Sequence, residues 1–271
     1  MAIINYNFSS SEINLFIINF SQLPRAVDVG VDAQLLTKDQ NGLTKTDVAG
    51  EFDFISDQIN NIGLARSSWS QSTINQGFGT EYIARNEIST NLIGQFNIPA
   101  NTLFSFQLQS SINLTTFTTN PTANNLSSSG NISIALQNSS TQEIIDSLNL
   151  LAIVNTSFAE EMNQDYLRFR TSPNFTIIHY QEDFLSSSGN QANFKSFNIN
   201  NAVIFRRYFE EPALIDFIAF TQSCNYASTN VDTCVKVNEP SYGIALILFL
   251  FLLTTRTHFS RIMKHIINLT R

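Results

Sequence analysis

Residues 102–116 read Thr-Leu-Phe-Ser-Phe-Gln-Leu-Gln-Ser-Ser-Ile-Asn-Leu-Thr-Thr. Phe104, Phe106, Leu108, Ile112 and Leu114 share one parity, while Ser105, Gln107, Gln109, Ser111 and Asn113 share the other. Successive side chains of a strand point to opposite faces, so this period of two predicts a strand with one face in a core and one in water. Ile132, Ile134 and Leu136 repeat the pattern after Ser127-Ser128-Ser129-Gly130-Asn131, which has the composition of a turn. Working outward, further strands are expected at 27–35, 50–55, 64–70, 91–98, 147–154, 175–184, 194–209 and 214–221. Breaker clusters stand between them: residues 38–42, Asn120-Pro121 with Asn124-Asn125, and residues 186–190. Residues 141–151 have some helical character, yet Leu148, Leu150 and Ala152 alternate, so a strand reads equally well there. Strands at this spacing predict an all-β body, an antiparallel β-sandwich or jelly roll, with the 23 phenylalanines supplying the bulk of its core.

The 271 residues suffice for one large domain, and no internal linker divides them before about residue 235. We therefore expect a β-sandwich body over 1–235 and a separate C-terminal segment over 236–271. Charged residues make up only 14% of the chain, against about 25% in ordinary globular proteins. Ser, Thr, Asn and Gln take their place, a balance common in exported β-rich proteins. The net charge of −7 leaves no basic stripe for displacing counterions from phosphates, which argues against a nucleic-acid partner. Cys224 and Cys234 are the two cysteines. In an oxidising compartment they would close a small polar loop as a disulfide, stabilising it by roughly 2–3 kcal/mol.

Residues 242–253 read Tyr-Gly-Ile-Ala-Leu-Ile-Leu-Phe-Leu-Phe-Leu-Leu, from Tyr242 and Gly243 through Leu246 and Phe249 to Leu253, with no charge or amide. As a single C-terminal apolar helix the run spans about 18 Å, short of a bilayer core of about 30 Å. Arg256, Arg261 and Lys264 follow it, the flank that the positive-inside rule leaves in the cytoplasm. Phe259, Ile262, Met263, Ile266 and Ile267 recur at three-and-four spacing, so the tail has the pattern of an amphipathic helix along the inner leaflet.

Immediately before the run stand Asn238, Glu239, Pro240 and Ser241. The order Glu-Pro-Ser, apolar stretch, arginines resembles the PEP-CTERM sorting signal of exported bacterial proteins, in its cyanobacterial form. Glu239 and Pro240 match the motif, and Asn238 stands where the family has its first proline. The resemblance covers about residues 237–261. It implies recognition at the membrane by an exosortase-like processing enzyme and a final location at the cell surface or outside the cell. Residues 1–20 contain no Lys or Arg, and the apolar stretch 13–20 is split by Asn14 and Asn19, so no secretory leader is legible. The tail leads us to expect one upstream of this start.

Catalytic material is sparse. His258 and His265 lie in the tail, leaving His179 as the single histidine for a Ser-His-Asp triad, and no Gly-x-Ser-x-Gly elbow accompanies it. Glu160-Glu161 and Glu210-Glu211 are candidates for the paired carboxyls of a glycoside hydrolase, about 5–9 Å apart. Adjacent strand residues face opposite ways, so solvated turns are the expectation for both. Asp28, Asp32, Asp39, Asp47, Asp53 and Asp57 could hold calcium, yet Asp39-Gln40-Asn41-Gly42 begins an EF-hand-like spacing without its remaining ligands. Trp69 is expected in the core; exposed, it would be a stacking platform for sugar. The sequence thus predicts a non-enzymatic cell-surface or extracellular-matrix protein without metal or cofactor, in contact with the membrane and with extracellular polysaccharide as a further partner. A lectin-like carbohydrate-binding module is the alternative, and a glycoside hydrolase the third reading.

Overall fold

Period-two alternation makes strands throughout the part of the chain that the structure describes. The computed structural model describes residues 5–39, 42–57, 62–77, 82–119, 125–156, 164–188 and 192–228. The chain divides after Cys234, and all the strands belong to the unit Met1–Cys234. They are β1 (Asn5–Ile18), β2 (Ala26–Asp39), β3 (Gly42–Asp57), β4 (Ile62–Gly77), β5 (Tyr82–Ile98), β6 (Thr102–Thr118), β7 (Asn125–Asn138), β8 (Ile144–Thr156), β9 (Tyr166–Thr171), β10 (Phe175–Ser188), β11 (Asn193–Phe209) and β12 (Ala213–Ser228). No helix occurs among the described residues. The expected C-terminal apolar helix lies outside them.

Two six-stranded antiparallel sheets result, ordered β10-β11-β6-β1-β4-β3 and β2-β5-β12-β7-β8-β9. The first six strands pair in nested fashion: β3 with β4, β2 with β5, and β1 with β6. These pairs lie alternately in the first and second sheet, so the chain runs as one long hairpin whose arms change sheets together. The C-terminal strands then enter the middle of the fold. β11 lies between β10 and β6, and β12 between β5 and β7.

Several expectations are corrected here. The Ser127-Ser128-Ser129-Gly130-Asn131 stretch is not a turn; it lies within β7 and pairs with both β8 and β12. Its small residues fit because Ile112 and Ile13 cross above them: a methyl group on Gly130 would lie 2.7 Å from Ile112 Cγ2. Residues 141–151 form no helix. Asn138 Oδ1 accepts the N–H groups of Ser140 and Thr141 at 2.9 and 3.1 Å, making a tight turn from which β8 starts at Ile144. Strands β1 and β9 carry no expectation from the sequence, and β10 runs on to Ser188, through the first part of the 186–190 breaker cluster.

The two inner faces share one apolar core. Ile13, Leu15, Phe104, Phe106, Ile199 and Phe205 come from the first sheet; Leu92, Phe96, Ile134, Leu150, Ile215 and Phe217 come from the second. Phe106 lies 4.9 Å from Phe205, 5.3 Å from Phe217 and 5.5 Å from Phe20, ring centre to ring centre. Such offset and edge-to-face pairs add about 0.5–1.5 kcal/mol each beyond the area they bury. Toward the other end the inward positions turn polar. Asn7, Ser9 and Ser11 precede Ile13 on β1, and Gln71, Thr73 and Asn75 follow Trp69 on β4; all six are buried.

Gly50 on β3 lies directly against the Trp69 ring, where a methyl group would sit 2.1 Å from Cε3. Phe52 stacks on the same indole at 5.6 Å. Gly50→Ala should therefore displace the ring and destabilise the fold by about 1–3 kcal/mol, as overpacked cores do. Urea denaturation followed by the fluorescence of the single tryptophan checks this, and an unchanged midpoint would refute it.

Candidate functional site

Many residues singled out from the sequence lie beyond the described residues: Asn238, Glu239, Pro240, Ser241, the apolar run 242–253, Arg256, Arg261, Lys264, Cys234 and Glu160-Glu161. Cys224 is described. It lies on β12 at 2% exposure and is not a free thiol. Glu210 and Glu211 occupy the exposed bend between β11 and β12. His179 is exposed on the edge strand β10, opposite Ala202 and beside the bulge that follows Ile177. Asp28 and Asp32 are exposed on β2, and Asp47 on β3 pairs with Lys45 at 2.6 Å. Among the described residues no group of three or more His, Cys, Asp or Glu side chains is placed to hold a metal ion, and no helix is long and apolar enough to cross a membrane.

Trp69 is a core residue. It is 5% exposed, and its Nε1–H reaches Thr90 Oγ1 and Thr221 Oγ1, each at 3.2 Å. With Phe52 stacked on it and Gly50 pressed against the ring, it offers no free face to a sugar.

The chemistry that the fold does concentrate is neutral and polar, and it lies between the sheets. Ser67 Oγ meets Thr90 Oγ1 at 2.7 Å and Thr221 Oγ1 at 2.8 Å, and those two threonines also meet each other. Asn225 Nδ2 donates to the Gln71 carbonyl at 3.0 Å, and Ser128 Oγ donates to Asn225 Oδ1 at 2.8 Å. Asn7 Nδ2 donates to Tyr82 Oη at 2.9 Å, while Thr118 Oγ1 donates to Asn7 Oδ1 at 2.6 Å. Gln71 Nε2 donates to Ser11 Oγ at 3.1 Å. Every bond that crosses from sheet to sheet here replaces the van der Waals contact that phenylalanines make at the other end. A buried polar group left without a partner costs about 1–3 kcal/mol, so these positions tolerate apolar or mismatched residues poorly. None of them stood out in the sequence, because Ser, Thr and Asn at inward positions erase the alternation that marks a buried face.

A second buried polar site clasps the sheets near the apolar end. Asp146 shares the inward parity of Leu148 and Leu150 on β8, and its side chain is 2% exposed. Arg207 on β11, in the opposite sheet, reaches it at 2.7 Å and also donates to the Ile145 carbonyl. Ser172 Oγ donates to the same carboxylate at 2.7 Å, and Asn174 Nδ2 donates to both of its oxygens at 3.0 and 3.1 Å. The sequence signal was present: an acidic residue at an inward position of an otherwise apolar strand demands a partner. A second ion pair, Lys195 to Asp165 at 3.0 Å, ties β11 to the segment before β9, and Lys195 also donates to the Asn155 carbonyl.

No protein-family model, no curated protein and no solved structure matches this chain. The reading of the site rests on its own geometry.

Replacing Asp146 by Ala removes the acceptor that Arg207, Ser172 and Asn174 share. We expect a loss of about 3 kcal/mol of folding stability, as when one partner of a buried ion pair is removed. Asp146→Ala combined with Arg207→Met should lose less than the sum of the two single changes. A thermodynamic cycle from chemical denaturation measures this, and strict additivity would mean that the clasp carries no coupling.

Proposed function

We propose that this chain is an exported, non-catalytic protein of the cell surface or extracellular matrix, delivered through a PEP-CTERM-like C-terminal signal. The observation that carries the reading is the order Glu239-Pro240-Ser241, then twelve uncharged apolar residues, then Arg256, Arg261 and Lys264. A run of that length is short for a permanent span, and the motif ahead of it suits a processing enzyme of the exosortase type. The tail is thus an address label, removed or retained at the membrane after it has been read.

The body supports this reading by what it offers to solvent and to chemistry. A double antiparallel sheet suits a protein of the cell exterior. The nested pairing of its first six strands favours a jelly-roll-like body within the broader sandwich class. The buried placement of Trp69 removes the residue on which a sugar-stacking reading would first have rested. Cys224 and Cys234 fit an oxidising exterior, and since Cys234 precedes the motif, a bond between them would stay with the body after cleavage.

Intact mass and fractionation of the native protein decide the matter. The expected product lacks everything beyond the 239–241 motif and is found outside the cytoplasm, and Glu239→Ala with Pro240→Ala should leave the tail in place. A full-length cytosolic product would end the proposal.

A further inference from the structure

Among the described residues, five buried oxygen atoms in the polar half of the interior have no hydrogen-bond partner from the protein: Ser9 Oγ, Gln71 Oε1, Thr73 Oγ1, Asn86 Oδ1 and Ser223 Oγ. Their residues are each 2% exposed or less. They are also neighbours in the fold. Ser9 on β1 and Thr73 on β4 are direct cross-strand partners, and Gln71 lies two residues along β4 on the same inward face. Asn86 and Ser223 belong to the neighbouring strands β5 and β12 of the opposite sheet, where Asn86 pairs with Asn225 and Ser223 with Ile88. The two groups are tied face to face, because Asn225 donates to the Gln71 carbonyl at 3.0 Å and Asn86 to the Ser72 carbonyl at 3.3 Å.

The chemistry of these atoms selects their ligand. One N–H of the Gln71 amide is engaged with Ser11 Oγ and one of the Asn86 amide with the Ser72 carbonyl, and the oxygen of each amide is an open acceptor. Ser9, Thr73 and Ser223 contribute hydroxyls, which donate or accept as the neighbour requires. An anion finds no positive charge among the five residues and would face the acceptor oxygens of Gln71 and Asn86, and a hard divalent cation is held by carboxylates, of which the five residues supply none. The set calls for a small neutral molecule that donates and accepts at once.

We propose that Ser9, Gln71, Thr73, Asn86 and Ser223 form an internal hydration site, in which ordered water molecules bridge the two sheets and complete the polar half of the core. Buried waters of this kind take two to four polar partners each. The five atoms, drawn from four strands of two sheets, provide them. Water is then a structural ligand of this fold, and the Ser/Thr/Asn pattern on the inner faces of β1, β4, β5 and β12 is its binding motif.

Thr73→Val tests the proposal, because it keeps the side-chain shape and deletes one hydroxyl. If Thr73 Oγ1 holds water shared with its neighbours, the variant strands them and lowers the melting temperature by about 2–4 °C. If the hydroxyl is unpartnered and dry, its removal relieves a penalty and the melting temperature rises, which overturns the proposal. Oxygen-17 magnetic relaxation dispersion on the unmodified protein supplies a readout independent of the variant's folding. Long-lived internal water is expected there, with a smaller amplitude in Thr73→Val. The absence of any such dispersion, or a crystal structure with a metal ion on these five residues, overturns it as well.

Discussion

The gap between the sheets is set at Phe106. Its ring packs against Phe104 and Phe205 on its own sheet, Phe217 on the facing one, and Phe20 and Phe175 from the rim. Rings of this size hold packed sheets at roughly 10 Å. At the other end the inward residues are Ser, Thr and Asn. There Ser67 meets Thr90 and Thr221 across the gap, hydroxyl to hydroxyl. The amides of Asn7, Asn86 and Asn225 reach across as well, to Tyr82 Oη and to the Ser72 and Gln71 carbonyls. The polar end thus coheres through hydrogen bonds between the sheets, where the aromatic end coheres through ring contacts.

Two kinds of cohesion therefore divide the fold. At the aromatic end burial of apolar surface dominates, reinforced by the Asp146–Arg207 clasp near the rim. At the polar end geometry dominates, since each hydrogen bond must be satisfied at a fixed distance. Neither kind resembles a catalytic arrangement. The described carboxylates are either locked into structural partnerships, as Asp146 is, or exposed in strands and bends, as Asp47, Glu210 and Glu211 are.

How much of this was legible in the sequence follows the same divide. Strand β6 is legible almost to its last residue, because its even positions from Phe104 to Leu114 are apolar except Ser110 and its odd ones polar. The interiors of β5, β8, β11 and β12 were found for the same reason. The first strand was missed: its inward positions begin with Asn7, Ser9 and Ser11, and Ile13, Leu15 and Ile17 stand beside the equally apolar Phe16 and Ile18. The start of β7 has the composition of a turn, since Ser, Gly and Asn are turn formers wherever no partner strand competes for their backbone. Here β8 and β12 do compete, from both sides. The hydration site was invisible for the reason that made these strands invisible: a polar inner face and a polar outer face give no alternation. Asp146 was readable in principle, as a charge standing in the parity of Leu148 and Leu150.

The place of β12 has a further consequence, for the order of events during synthesis. It is the last strand described, and it sits between β5 and β7, so that without residues 213–228 the second sheet falls into two unconnected pieces. Contacts this distant in sequence form slowly, and none of them is available to a ribosome-bound chain that has not yet made its end. Strands β5 and β7 each keep one edge open until β12 has been produced. A polypeptide whose second sheet closes only when β12 arrives completes its core late, after nearly all of its described residues have been made.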